Sequence, residues 1–255
     1  MCNLNLQSKN NDRMRITKDM KMADVIQMNY MLIPVIYRFG INLGFGDKTV
    51  KEICTEAKVD LNFFLQLVNT YHDKDYFPKE ELQSIPSKDI VTYLKMTHSS
   101  YLNEKLPEIE VLIEELQHAE TEDEKYILLI RNFYEGYKNE LTEHIMHEEE
   151  VVFPYVLTVE EICKIGVVSD RNREMYESFS ILKYQDAHDD VEEKLMDLKT
   201  IMIKYLTPPL NTNLYHKIIQ LLFMLEQDLS YHARIEDKVL LPKMIAMEKM
   251  ITEMN

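Results

Sequence analysis

Apolar residues recur every three or four positions along most of this 255-residue chain, which is the period of an amphipathic α-helix. Four long stretches with this period follow Pro78 and Pro86, and shorter ones precede them. The chain contains only 5 glycines, 8 prolines and no tryptophan, a composition that disfavours a turn-rich β architecture. The pattern therefore predicts an all-α protein.

Three short helices are expected in the first part of the chain, within residues 19–77. Thr49 and Glu52 have the spacing of a capping box, so a helix should begin there, and Asp60 can cap the next one. A module of three short helices also fits a DNA-binding helix-turn-helix. Residues 1–80 hold 11 basic and 10 acidic side chains without a basic stripe, which gives that alternative weak support.

Changes in composition along the chain indicate its domain boundaries. Pro107 and Pro154 lie inside predicted long helices, which are therefore expected to bend or end there. Ser87 can cap the first helix of the bundle. Residues 157–178 follow the helical period least well, and we interpret them as an insertion between two similar halves, in which Thr158 begins a short helix and Gly166 ends it. The predicted organisation is a disordered tail at 1–18, a small helical domain at 19–77, a linker at 78–88 and a four-helix bundle at 89–255.

One motif, H-x3-E-[E/D]-x-V-x2-P, occurs twice, beginning at His144 and again 88 residues later at His232. In a helix, positions i and i+4 share a face, so each copy directs an imidazole and a carboxylate the same way. His98 lies 46 residues before the first copy, and His188 lies 44 residues before the second. Each half of the bundle thus offers one helix with a histidine and one with a His/Glu pair. The candidate metal ligands are His98, His144, Glu148, His188, His232 and Glu236.

The chemistry of this set favours a site for two metal ions over a packed core. A lone histidine on an apolar face is more often a core residue than a ligand, but here four helices each direct one inward. Buried carboxylates need a cationic or hydrogen-bonding partner, and these faces carry few basic residues. Imidazole and carboxylate ligands suit iron and other first-row ions, whereas structural zinc sites prefer cysteine or a closed four-ligand set.

The remaining histidines are not expected to be ligands. Glu149 and Asp237 hold equivalent positions in the two motif copies and are candidate hydrogen-bonding partners of the ligands. An alternative without metal is an acidic helical interaction protein whose inward histidines only pack in the core. The histidines set aside are His72, His118, His147 and His216.

The net charge and the cysteines indicate which binding partners and which cellular compartment to expect. The formal net charge of −15 disfavours binding to nucleic acid or to an anionic membrane surface. The three cysteines are odd in number and widely spaced, so no disulfide framework is expected. This usage is typical of a protein in a reducing compartment. The chain has no apolar signal segment and no apolar run of about 18 residues, so a cytoplasmic location is expected.

Residues 38–54, RFGINLGFGDKTVKEIC, resemble the small amino-terminal domain of the repair-of-iron-centres proteins (RIC, ScdA/YtfE type). That domain carries an adjacent cysteine pair just after its R-[FY]-G-I element, and Leu43 and Gly44 stand at those positions here. Cys54, further along, is expected to pack within a helix as a small apolar residue. This chain therefore lacks the two thiols that the family carries at these positions.

The six candidate ligands also match the ligand pattern of the hemerythrin-like domain of RIC proteins, which is four histidines and two bridging glutamates. The resemblance implies an all-α, hemerythrin-like four-helix bundle preceded by a small three-helix amino-terminal domain. It also implies two iron ions in an oxo- and carboxylate-bridged di-iron centre.

The function implied by the resemblance is repair of iron–sulfur centres damaged by nitrosative or oxidative stress. The implied partners are damaged iron–sulfur proteins or the small ligands NO, O2 and peroxide, and an activity that reduces NO or peroxide is left open. The alternative is a hemerythrin-like protein that binds or senses O2 or NO. The sequence leaves the oligomeric state open, a dimer included.

Overall fold

A computed structural model describes residues 14–119, 124–179, 190–204 and 212–254 of the chain. Within these ranges the secondary structure is helical, apart from an isolated bridge between Lys21 and Thr49. The all-α prediction is therefore confirmed. The chain divides into two compact units, Met1–Leu82 and Gln83–Asn255.

The first unit contains α1 (Met22–Met28), α2 (Leu32–Tyr37), α3 (Val50–Ala57) and α4 (Leu61–His72), and α5 (Lys79–Ser84) runs past its end. Both predicted caps are confirmed. Thr49 and Glu52 form a capping box at the start of α3, and the carboxylate of Asp60 accepts a hydrogen bond from the Phe63 N–H at the start of α4.

The second unit contains eight α-helices in the described ranges, joined in three places by a π-helical turn. The helices are α6 (Ser87–Ser100), α7 (Leu106–Ala119), α8 (Glu124–His147), α9 (Phe153–Ile165), α10 (Asp170–Ser178), α11 (Asp190–Lys204), α12 (Thr212–Ile235) and α13 (Leu241–Met254). The π-helical turns are Tyr101–Lys105, Glu148–Val152 and Glu236–Leu240.

Four of these helices surround one hydrophobic core. Helix α7 packs against α8, α8 against α11, α11 against α12, and α12 against α7. This packing buries the apolar stripe that each sequence pattern predicted. The core contains Leu112, Ile113, Tyr134, Leu141, Leu198, Leu222 and Leu225, among others.

Two local expectations in this unit are wrong. Thr158 was expected to begin a short helix, but α9 begins at Phe153, directly after the second π turn. Ser87 was expected to cap α6, but it is the first residue of that helix, and its N–H donates to the Glu160 carboxylate at 2.9 Å. Gly166, with φ of 77°, ends α9 in the left-handed conformation, as expected.

None of the helices in the described ranges combines the length and apolar character that crossing a membrane requires.

Candidate metal centre

Four of the six predicted ligands come together inside the second unit. His98 lies in the last turn of α6, and His232 in the last turn of α12. Glu148 and Glu236 are the first residues of the second and third π turns. One nitrogen or oxygen atom from each of these four residues lies within 4.8 Å of the others, and all four residues are buried. The spacing is short enough for metal coordination.

The Glu148 carboxylate faces two imidazoles from different helices. Its Oε2 atom lies 3.2 Å from Nε2 of His98, and its Oε1 atom lies 3.1 Å from Nε2 of His144. In the second motif copy, Oε1 of Glu236 lies 3.1 Å from Nε2 of His232. The i, i+4 spacing therefore places each pair on one face, as the sequence predicted.

His98 joins the two halves of the site. Its Nε2 atom lies 3.1 Å from Nε2 of His232 and 3.2 Å from the Glu148 carboxylate. Its Nδ1 atom lies 3.1 Å from Oε1 of Glu149. Because a carboxylate accepts the proton of Nδ1, a neutral His98 directs the lone pair of Nε2 towards the Glu148 carboxylate.

Two electron-rich atoms facing each other at 3.2 Å, away from water, need a proton or a metal cation between them. Both Glu148 and Glu236 have less than a tenth of their surface exposed. The imidazoles of His98, His144 and His232 lie within 3.2 Å of these two carboxylates. The buried donor set therefore fits a divalent cation.

Two aromatic side chains that the sequence analysis did not single out hold the imidazoles from outside. The ring of Phe153 stacks on His98, with 5.5 Å between centroids and 12° between planes. The ring of Tyr101 packs edge-on against His232 at 5.8 Å. Phe153 is the first residue of α9 and directly precedes Pro154, and Tyr101 is the first residue of the π turn that precedes Pro107. The nearby proline is the local sequence feature that marks each of them.

The other predicted residues differ in their placement. The side chain of His144 contacts Glu148 but keeps about a fifth of its surface exposed, at the edge of the cluster. His188 lies outside the described residues. Glu149 contacts His98, one of the candidate ligands, whereas Asp237, its equivalent in the second motif copy, is exposed.

Fold and site together define a class: an all-helical protein with a buried histidine and glutamate cluster that could hold metal. The chain matches no protein-family model. It is similar to the iron–sulfur cluster repair protein ScdA of Staphylococcus haemolyticus, at 17% identity over 229 residues that cover 89% of this chain and 99% of the relative.

Two further relatives are named as iron–sulfur cluster repair protein YtfE. The protein of Salmonella choleraesuis is 21% identical over 207 residues, which cover 80% of this chain and 86% of the relative. That of Cronobacter sakazakii is 23% identical over 215 residues, which cover 82% and 89%. These low identities over most of the chain support the resemblance to the ScdA and YtfE proteins.

Proposed function

We propose that this chain is an iron–sulfur cluster repair protein whose second unit is a hemerythrin-like four-helix bundle holding two iron ions. The observation that carries the proposal is the buried convergence of His98, Glu148, His232 and Glu236. The names of the relatives support the repair role, and they do not favour the alternative of O2 or NO binding and sensing.

The six ligands of the proposed centre are His98, His144, Glu148, His188, His232 and Glu236. Glu148 and Glu236 would supply the carboxylate ligands of the two ions. The two oxygens of Glu148 face imidazoles from α6 and α8, so this carboxylate lies between candidate ligands of two helices. Bound there, iron would supply redox chemistry and open coordination positions for a small ligand such as NO, O2 or peroxide.

The protein's own residues position the ligands and exclude water. Glu149 holds His98 by its Nδ1 atom, so that Nε2 points into the site. Phe153 and Tyr101 cover the two buried imidazoles with apolar rings, so water does not compete for the ligand atoms from those sides. The proposed partners are iron–sulfur proteins damaged by nitrosative or oxidative stress.

The metal site is tested by measuring metal content per chain after anaerobic purification. About two irons are expected in the wild-type protein, and a clear loss is expected in Glu148→Ala. Glu143→Ala removes an exposed carboxylate from α8, the helix that leads into the π turn of Glu148, and is the matched control. A Glu148→Ala protein that retains its iron in full would show that the cluster is not the binding site.

The repair role is tested with a purified iron–sulfur enzyme whose cluster has been damaged by NO. The iron-loaded protein should restore its activity faster than an equal amount of free ferrous iron does, and Glu148→Ala should restore no more than free iron. Recovery at the rate of free iron with the loaded wild-type protein would reject the repair role while leaving the metal site intact.

A further inference from the structure

The three π-helical turns among the described residues of the second unit all stand at the same distance from a proline. The first residue of each turn lies six positions before the proline, and the last lies two positions before it. The pairs are Tyr101–Lys105 with Pro107, Glu148–Val152 with Pro154, and Glu236–Leu240 with Pro242.

The chemistry of proline explains the recurrence. Proline has no N–H, so the carbonyl four residues before it loses its helical donor, and the ring crowds that carbonyl. At each site the residue before the proline bonds to the carbonyl five positions back. Phe153 N–H donates to Glu148 O, and Leu241 N–H donates to Glu236 O. A π turn thus relieves the break while the helix continues.

The third turn also shows where one of the released carbonyls finds a donor. Lys238 lies four residues before Pro242, and its carbonyl oxygen accepts a hydrogen bond from Nε2 of Gln83 at 3.3 Å. The carbonyl that the proline leaves without a helical donor therefore has a donor from within the protein, at an exposed position.

The extra residue in a π turn changes which positions face the core. One line of buried residues takes alternating three- and four-residue steps before the third turn and three successive four-residue steps across it, while Ile235, Val239 and Leu241 are buried beside that line. Without the extra residue, the segment on one side would rotate by about 100° relative to the other. The buried positions in question are Leu225, Leu229, His232, Glu236, Leu240, Met244, Met247 and Ile251.

Two of the three turns begin at a candidate ligand, Glu148 or Glu236. We propose that Pro154 and Pro242 are positioning residues, which hold these turns in the π register and so fix the direction of the two carboxylates. The inference rests on the proposed metal site and deepens it. If each π turn were regular α-helix, α9 and α13 could keep their buried faces on the core only if α8 and α12 rotated. That rotation would turn the candidate ligands of α8 and α12 away from the site.

The test replaces each proline with alanine, which supplies the missing N–H and is the best helix former. The variants are Pro154→Ala and Pro242→Ala, with Pro34→Ala in α2 as the control, since no π turn adjoins that proline. The measurements are affinity for Fe²⁺ by competition with a chelator, and the melting temperature of the metal-free protein.

We expect both variants to bind Fe²⁺ at least about tenfold more weakly, with an unchanged or higher metal-free melting temperature. If both proline variants bound Fe²⁺ within twofold of the wild-type affinity, the inference would be overturned. The proposed metal site would be unaffected by that result. A metal-free melting temperature that falls in parallel with affinity would also overturn it, because the prolines would then be purely structural. A wild-type protein that binds no Fe²⁺ would remove the proposed function itself.

Discussion

Nδ1 of His98 lies 3.1 Å from Oε1 of Glu149, although 51 residues separate the two in the chain. The neighbouring residue Glu148 approaches the opposite nitrogen of the same ring at 3.2 Å. Two consecutive carboxylates therefore hold one imidazole from both sides, and they do so where α8 passes into a π turn. The contact with Glu149 fixes both the tautomer and the ring orientation of His98.

Loss of this contact should weaken metal binding without removing a ligand. We predict that Glu149→Ala lowers the affinity for Fe²⁺ by about 10- to 100-fold, because His98 can then rotate or change tautomer. Glu149→Gln keeps a carbonyl oxygen that can accept the hydrogen bond from Nδ1–H, so this variant should lose less of the affinity for Fe²⁺. The measurement is chelator competition on the purified variants.

Glu150→Ala is the matched control for that series, since Glu150 is the next residue and is exposed. Its affinity should stay close to wild type. Equal affinities for Glu149→Ala and Glu150→Ala would mean that the His98 contact has no bearing on the site.

Metal removal should lower thermal stability, and the loss should depend on Glu236. A ligand that binds only the folded chain stabilises it by about 2.7 kcal/mol at a hundredfold excess over Kd. For a chain of this size that free energy corresponds to about 5–10 °C in melting temperature. Calorimetry with and without Fe²⁺ should show this increase in wild type and in Glu143→Gln, and little of it in Glu236→Gln. An equal increase in Glu236→Gln would exclude Glu236 as a ligand.

Much of the local architecture could be predicted because it depends on neighbouring residues. The 3.6-residue period predicted the helices, and Thr49 and Asp60 predicted the starts of α3 and α4. The i, i+4 spacing predicted that His144 and His232 each face a glutamate. That these residues bind metal stays a prediction.

What escaped prediction depends on contacts between distant parts of the chain or on a change of helical period. Ser87 was expected to cap α6, but its N–H is bonded by Glu160, 73 residues away. The π turns break the 3.6-residue period on which the pattern analysis relied, so Phe153 and Tyr101 were not seen as neighbours of the site. The proline that follows each turn is a sequence feature that could have indicated them.

Cys54, the buried cysteine of α3, should be chemically inert. Burial raises the pKa of the Cys54 thiol to about 12, so at pH 8 the reactive thiolate is on the order of 10⁻⁴ of the total. We predict that a thiol reagent at pH 8 labels Cys54 in the folded protein far more slowly than after denaturation. Peptide mapping by mass spectrometry measures the label at each cysteine. Rapid labelling of Cys54 in the folded chain would contradict its burial and would reopen a thiol role for this unit.

Glu160 is expected to make stability depend on pH. It accepts a hydrogen bond from the Ser87 N–H at 2.9 Å and pairs with Lys164 at 2.9 Å and Lys243 at 3.5 Å. Burial raises the pKa of Glu160, but the hydrogen bonds from Ser87 and Lys164 and the charge of Lys243 outweigh burial, so its pKa lies below the ordinary value. Because the folded pKa is the lower one, this stabilisation is complete above the unfolded pKa of about 4.3 and is lost as pH falls through the folded value.

Glu160→Gln should therefore lower the free energy of unfolding at pH 7 by about 1–3 kcal/mol, since a charged hydrogen-bond acceptor is lost while Lys243 remains half-buried. The difference from wild type should shrink when pH falls below about 4, where the wild-type carboxyl also becomes neutral. Urea unfolding of the metal-free protein at pH 7 and at pH 3.5 measures both values. Glu161→Gln, which changes an exposed neighbour, should match wild type at each pH. A Glu160→Gln deficit that is the same at both pH values would show that the carboxylate contributes through packing and not through its charge.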